Sequence, residues 1–250
     1  MTPRLLLIRG MLVGIAAAAL AFLVARLFGE GPIDQAIAFE AAHTAPGVQE
    51  PELVTRAVQS TLGLGTAVLV YGTAVGGFFA LAYAFCYGRI AALGLRGTAT
   101  LLAGLGFAAV YLVPMLKYPA NPPAVGGPQT IGQRTTLYFL MVGISVAATI
   151  GAVLVARNLT ARLGAWNAVL VAAGAFIAVI AVAMLLLPPV NEVPADFSAT
   201  VLWRFRLASV GTQLVLWTTI GLLFGALTER RARRDAAAQR DAAGKLAPAG

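Results

Sequence analysis

Six long, largely apolar stretches of this chain contain no charged residue, and they constrain its fold more than any other feature. Five of them hold twenty residues or more, which is about the length that an α-helix needs to cross the hydrocarbon core of a bilayer. The first is shorter, but its flanks are apolar, and Arg9 and Arg26 can extend their charged ends toward the two interfaces. The six uncharged stretches are residues 10–25, 57–88, 97–116, 135–156, 163–191 and 207–228.

The composition excludes a water-soluble domain. Hydrophobic residues make up 59% of the chain and charged residues only 11%, whereas soluble domains carry roughly 25% charged residues. So few charges cannot cover a surface that faces water, and the apolar side chains must therefore face lipid. We predict an all-α, polytopic (multi-pass) integral membrane protein. It would have about six transmembrane helices, with five as the alternative.

The predicted domain organisation is a transmembrane helical domain over residues 1–228 and a basic cytoplasmic tail over residues 229–250. The tail has no apolar stripe that could form a core, so we expect it to be largely disordered after a short helix. The first stretch is either a secretory signal peptide or a helix that stays in place, and its length favours the helix. The helices are expected at residues 5–28, 62–87, 98–116, 136–156, 166–188 and 207–228.

The basic residues predict the orientation. Six spans leave both termini on one side, and placing that side in the cytoplasm gives it twelve basic residues against six outside. The positive-inside rule favours this arrangement, and the tail decides the balance. The net charge of +8 therefore reflects orientation, and we expect the lipid bilayer rather than a nucleic acid as the partner. The tail cluster would also attract anionic lipid heads; it comprises Arg230, Arg231, Arg233 and Arg234.

Glycines spaced four residues apart predict where helices approach one another closely. Small residues at this spacing let two helix backbones come together in lipid, where hydrophobic burial does not drive helices together. The uncharged stretches contain three such pairs, which are Gly10/Gly14, Gly72/Gly76 and Gly221/Gly225.

Polar groups are sparse within the uncharged stretches. No Asp, Glu, Lys or His occurs there, although ion-coupled carriers and proton relays commonly place an ionisable group at mid-membrane. Ser209, Thr212 and Gln213 form the most polar patch in the middle of a predicted helix. This patch either lines a path through the membrane or makes structural hydrogen bonds between helices.

The first outer loop carries the only histidine of the chain together with several acidic residues. Its sequence PIDQAIAFEAAH is typical of a helix, on which Glu40 and His43 point the same way because they are three residues apart. A carboxylate oxygen and an imidazole nitrogen so placed can bind one divalent cation, and Asp34 lies one to two turns earlier. The alternative is an ordinary solvated helix at the membrane surface.

No catalytic set is visible, so we do not expect an enzyme. The single histidine lies in a loop, and the single cysteine, Cys86, lies in an apolar stretch, which excludes zinc-type clusters of His and Cys. The chain also lacks a phosphate-binding glycine loop followed by Lys and Ser or Thr. We expect no permanently bound cofactor.

Three stretches in order give the chain a family resemblance. They are GEGPIDQAIAFEAAH in the first outer loop, the Pro-rich connection VPMLKYPANPPAVGGPQTIGQRTTLY, and PPVNEVPADFSATVLWRFRLASVGTQLVLW before the last helix. With these stretches the chain resembles CbtA, a family of predicted cobalt transporter subunits. The resemblance implies a membrane subunit of a cobalt (divalent metal ion) uptake system linked to vitamin B12 biosynthesis. It also implies a small one-helix partner, CbtB, and members are generally described with five spans.

The resulting hypothesis divides the work of transport between two subunits. The partner would deliver Co²⁺, as transported cargo, to an external receiving site formed by Asp34, Glu40 and His43. The ion would then pass between helices along hydroxyl, amide and backbone oxygens, with Ser209, Thr212 and Gln213 as candidate path-lining residues. The alternative is a non-transporting membrane scaffold or assembly partner that acts through the Pro-rich connection, which is equally typical of a rigid spacer.

Overall fold

The structure is a computed structural model, and it describes residues 3–43, 54–90, 93–123, 125–127 and 129–246. Within these ranges the secondary structure is entirely helical. A helix satisfies its backbone hydrogen bonds internally, which lipid cannot do for it. Large apolar side chains remain exposed along the helices, for example Phe78 at 72% and Leu185 at 85%. Such exposure is expected of surfaces that face lipid.

Five helical runs among the described residues are long and apolar enough to cross a membrane. One of them, Ile131–Leu186, is too long for one crossing, because a straight helix of 56 residues extends about 84 Å and the hydrocarbon core is about 30 Å thick. Non-helical geometry at Gly164 divides it in two. The described helices are therefore α1 Pro3–His43, α2 Arg56–Cys86, α3 Leu95–Lys117, α4 131–163, α5 165–186 and α6 Ala199–Leu246.

Packing between α4 and α5 shows that the chain reverses at Gly164. Met141 of α4 and Ile180 of α5 lie in one buried cluster, which also contains Val113 and Tyr118. In a straight helix, Met141 and Ile180 would be about 58 Å apart. The two helices therefore form a hairpin, so the five helical runs comprise six helices. The predicted all-α, multi-pass fold is confirmed.

The hairpin depends on glycine at position 164, and we expect Gly164→Ala to lower stability by about 1–3 kcal/mol. Gly164 has φ 74° and ψ 161°, a combination essentially limited to glycine. Thermal unfolding of the purified chain in detergent measures the effect. The matched control is Gly151→Ala within α4, where an added Cβ meets no atom within 4 Å. The control should match the wild type or gain up to about 1 kcal/mol, and equal melting of both variants would contradict the prediction.

α1 extends well beyond its uncharged stretch. The sequence analysis expected it to end near residue 28, but the helix continues to His43. It passes through a wide π-helical turn over Ala25–Gly29, and similar wide turns occur at Gln59–Gly63 in α2 and Phe107–Leu112 in α3. The extension keeps the acidic part of the first outer loop helical and attached to a membrane helix.

α6 extends at both ends. It begins at Ala199 rather than near residue 207, and it continues to Leu246, where the sequence analysis expected a largely disordered tail. Alanine is the strongest helix former, and this segment is rich in it. Ion pairs between residues that lie four positions apart further stabilise the helix. These pairs are Arg231–Asp235 at 3.0 Å and Arg233–Glu229 at 3.0 Å.

The described residues pack as two compact units. The first unit comprises Met1–Ala18, Leu69–Gly104 and Leu216–Gly250, and the second comprises Ala19–Val68 and Leu105–Val215. The core of the first unit includes Phe224, whose ring meets those of Phe79 and Tyr83 edge-on with centroids 5.3 and 5.0 Å apart. The second unit contains the outer segments that carry the predicted metal-binding residues, and it is described with the candidate site.

Close backbone contacts at glycine hold the first unit together. A Cβ added to Gly10, Gly14, Gly72 or Gly76 would lie under 3.0 Å from an atom of the opposite helix, so α1 and α2 touch through their backbones. A Cβ added to Gly221 of α6 would likewise lie under 3.0 Å from the Cβ of Ala103 in α3. The prediction that glycines spaced four apart mark close helix approaches is confirmed at these positions.

Candidate metal-binding site

The acidic side chains at the start of the α1 extension are paired with arginines. Asp34 accepts hydrogen bonds from Arg56 at 3.2 and 3.3 Å. Glu30, which is only 15% exposed, pairs with both Arg26 and Arg56. These ion pairs fasten the start of α2 to the α1 extension. The Asp34 carboxylate is therefore engaged by a guanidinium, a group that does not bind metal.

His43 lies beside Asp196, a residue far away in the chain. Its Nε2 is 2.9 Å from Oδ2 of Asp196, and its Nδ1 is 2.8 Å from the carbonyl oxygen of Phe39. The two side chains are 54% and 61% exposed, so an ion in solution can reach them. Metal-binding histidines almost always donate one ring N–H to a carbonyl or carboxylate, which orients the ring. Nδ1 of His43 is placed to donate to Phe39 in this way, while Nε2 faces the Asp196 carboxylate.

Aromatic packing brings His43 and Asp196 together. The ring of Phe39 lies 4.2 Å from that of His43, centroid to centroid. It also meets the ring of Phe197 edge-on at 5.1 Å. Phe197 follows Asp196 directly, so the contact between the two phenylalanines fixes the neighbouring carboxylate. The buried members of the cluster beneath them are Ala36, Val125, Phe197 and Val201.

The three ligands predicted from the sequence do not come together as one group. Asp34 pairs with Arg56 and His43 pairs with Asp196, while Glu40 is exposed on the same helix, one turn before His43. Within the described part of the chain, no three His, Cys, Asp or Glu side chains are close enough to hold one metal ion. The sequence analysis missed the role of Asp196, because no local spacing relates it to His43.

The Pro-rich connection between α3 and α4 is fixed by side chains from other elements. Arg206 of α6 donates to the carbonyl oxygen of Ala120 at 3.2 Å and to the side-chain oxygen of Asn121 at 3.1 Å. The Tyr118 hydroxyl donates to the carbonyl oxygen of Pro188 at 2.9 Å. The connection is thus a packed part of the second unit.

A buried carboxylate lies against the same connection. The Glu192 side chain is only 2% exposed and pairs with Arg134 at 3.2 Å. Its other oxygen, Oε1, has no hydrogen-bond partner among the described residues. Gly126 beside it has φ 138°, a backbone conformation that favours glycine, and a Cβ added there would lie 2.6 Å from Oε2 of Glu192. The nearby guanidinium of Arg134 makes this group a structural ion pair.

The three candidate path-lining residues differ in their hydrogen-bond partners. The Ser209 hydroxyl lies 2.8 Å from that of Tyr111, which joins α6 to α3. The Thr212 hydroxyl donates to the carbonyl oxygen of Ala208 within its own helix at 2.8 Å. Gln213 has a buried side-chain oxygen with no partner in the described ranges. Ser209 and Thr212 therefore make structural hydrogen bonds, whereas Gln213 keeps an acceptor unused.

Comparison with known proteins identifies the family. The family described as probable cobalt transporter subunit (CbtA) matches residues 4–229, a range that includes the apolar part of every described helix as well as His43 and Asp196. No curated protein and no solved structure matches the chain. A transporter subunit with several membrane-crossing helices resides in lipid and works as part of a larger assembly. Because the match covers nearly the whole chain, the protein belongs to the CbtA family of probable cobalt transporter subunits.

Proposed function

We propose that the protein is the membrane subunit of a cobalt uptake system in the bacterial cytoplasmic membrane. The observation that carries this proposal is the family match over residues 4–229. Co²⁺ is the cargo, and vitamin B12 biosynthesis is the process that consumes it. The partner that the resemblance implies is a small one-helix CbtB-like subunit, which would hand the ion to the outer segments of this chain.

The receiving group in this proposal is the pair His43 and Asp196, with Glu40 adding negative charge one turn away. Imidazole nitrogen and carboxylate oxygen bind a first-row divalent metal at about 2.0–2.2 Å. Two such ligands at neighbouring octahedral positions therefore lie about 3 Å apart, close to the 2.9 Å between His43 Nε2 and Asp196 Oδ2. Two protein ligands completed by water hold an ion weakly, which suits a site that passes it on. Asp34 contributes only to the local charge.

Alanine at His43 or Asp196 is expected to reduce cobalt uptake about tenfold or more at limiting Co²⁺, because each change removes one of two protein ligands. Uptake of radioactive cobalt by cells that express equal amounts of each variant measures this. The matched control is Gln35→Ala, which removes an exposed polar side chain from the same helix and should leave uptake unchanged. Wild-type uptake in the His43→Ala, Asp196→Ala double variant would exclude the receiving pair, whereas unchanged uptake after deletion of the whole gene would exclude the transport function.

Proton competition gives an independent test of the pair. In the absence of metal, a protonated His43 donates to Phe39 and to Asp196 at once, but Co²⁺ needs the neutral ring, so binding releases a proton. The ordinary histidine pKa is about 6.5. We therefore expect uptake at limiting Co²⁺ to fall as pH drops from 7.5 to 5.5, and the fall should be much weaker in His43→Ala. An identical pH profile in that variant would contradict the proposal.

The alternative is a non-transporting scaffold that assembles the uptake system. The firm anchoring of the Pro-rich connection by Arg206 favours this role, since it gives a partner a rigid surface. The lack of Asp, Glu, Lys and His in the uncharged stretches also favours it. Co²⁺ entry into liposomes that contain this chain together with its partner would favour transport. Entry that depends on the partner but not on this chain would favour the scaffold.

A further inference from the structure

A cavity of about 450 Å³ in the first unit is lined by two chemically distinct groups of side chains. Its volume falls in the range of small-molecule sites, about 300–1,000 Å³. Aliphatic side chains from α1 and α6 form one part of the wall; these are Leu5, Ile8, Leu12, Val13, Leu223 and Leu227. Four arginines, one from α1 and three from α6, form the other part; these are Arg9, Arg230, Arg231 and Arg234.

The arginines of the cavity are incompletely neutralised. Arg231 pairs with Asp235 at 3.0 Å, and Arg9 donates one hydrogen bond to the buried hydroxyl of Thr228 at 3.0 Å. Neither Arg230 nor Arg234 has an ion pair or hydrogen bond within the described part of the chain. No carboxylate is among the described residues that line the cavity. The cavity therefore carries positive charge that an anion would balance.

The position of the cavity along α6 indicates its level in the membrane. The residues of α6 that line it change from leucine to arginine at Thr228, where the uncharged stretch ends. In a membrane helix this change marks the boundary between acyl chains and head groups. An occupant must therefore present an anion at the arginine end and a hydrocarbon chain at the leucine end.

We propose that this cavity is a binding site for an anionic phospholipid. The phosphodiester accepts hydrogen bonds from Arg230 and Arg234 and balances the charge of Arg9, while one acyl chain lies along the aliphatic wall. Guanidinium groups suit phosphate oxygens because their N–H donors match them in pairs. A soluble phosphate would balance the charge but would leave the aliphatic side chains without a partner. The occupant is therefore a lipid.

The test is a titration of the purified full-length chain with phosphatidylglycerol, followed by native mass spectrometry. Phosphatidylcholine with the same acyl chains and inorganic phosphate serve as the other two ligands. We expect phosphatidylglycerol to bind at least tenfold more tightly than phosphatidylcholine, and millimolar inorganic phosphate not to displace it. Equal affinity for the two lipids, or full displacement by phosphate, would overturn the proposal. This comparison on the wild type depends on no variant.

Two double variants distinguish lipid binding in the cavity from general attraction of anionic lipid to the basic tail. Arg230→Gln with Arg234→Gln removes two arginines of the cavity and is expected to weaken phosphatidylglycerol binding roughly thirtyfold. Arg233→Gln with Arg240→Gln removes the same charge from the same helix, but neither residue lines the cavity. We expect this control pair to lose less than about threefold. If both double variants lose phosphatidylglycerol affinity equally, the lipid is attracted by the basic charge of the tail in general, and the proposed site is wrong.

Discussion

Replacing Gly14 with alanine is expected to prevent α1 and α2 from packing, with a loss of about 3 kcal/mol or more. A Cβ at this position would lie under 3.0 Å from the backbone of Gly72. A side chain in the way could rotate aside, but a helix backbone cannot, so the two helices must separate. Separation removes the contacts of Gly10 and Gly76 as well. Because proteins are only about 5–15 kcal/mol more stable than their unfolded chains, we expect most of the Gly14→Ala protein to fail to fold.

The measurement is the yield of monodisperse protein in mild detergent, together with its melting temperature. Gly174→Ala is the matched control, since Gly174 is also helical and an added Cβ there meets no atom within 4 Å. Alanine favours helix more than glycine does, so the control should match the wild type or gain up to about 1 kcal/mol. If Gly14→Ala melts at the temperature of the control, the helices do not cross as closely as described.

Arg134→Ala is expected to destabilise the second unit by about 3–5 kcal/mol. The variant leaves the Glu192 carboxylate, only 2% exposed, without its cation, and a buried charge without a partner is very unfavourable. The other carboxylate oxygen already has no hydrogen-bond partner among the described residues. No second group is therefore in place to compensate. Thermal unfolding in detergent measures the loss, and Arg204→Ala, which removes an exposed arginine of α6, should shift stability by no more than about 0.5 kcal/mol.

A second variant shows whether the buried charge is the cause. Adding Glu192→Gln to Arg134→Ala removes the uncompensated carboxylate while keeping the shape of the side chain. We expect the double variant to be more stable than Arg134→Ala alone, since a neutral amide is far easier to bury than a charge. The single variant Glu192→Gln is measured as well. If the stability lost by the double variant equals the sum of the losses of Arg134→Ala and Glu192→Gln, the two residues act independently, contrary to this interpretation.

The glycine pairs and the tail show what the local sequence pattern predicts and what it does not. Glycines four apart lie on one side of a helix, so the spacing of Gly10/Gly14 and Gly72/Gly76 predicted close approach, and both pairs lie at a crossing. The spacing does not say which pair meets which, because that depends on the register of two helices. In the tail, alanine content and pairs such as Arg231–Asp235 favour a helix, whereas the sequence analysis considered only the missing apolar stripe.

The sequence alone determined the membrane class and predicted about six helices, with five as the alternative, because each crossing of the bilayer needs about 20 apolar residues. It also predicted a role for His43, as the only imidazole in an acidic outer segment. Only the tertiary structure decided which side chains pair with one another. Asp196 lies beside His43 because Phe39 and Phe197 pack together, and Arg134 of α4 pairs with Glu192 in the connection between α5 and α6. Such pairs join residues far apart in the chain, and only the packing of apolar side chains sets the distance between them.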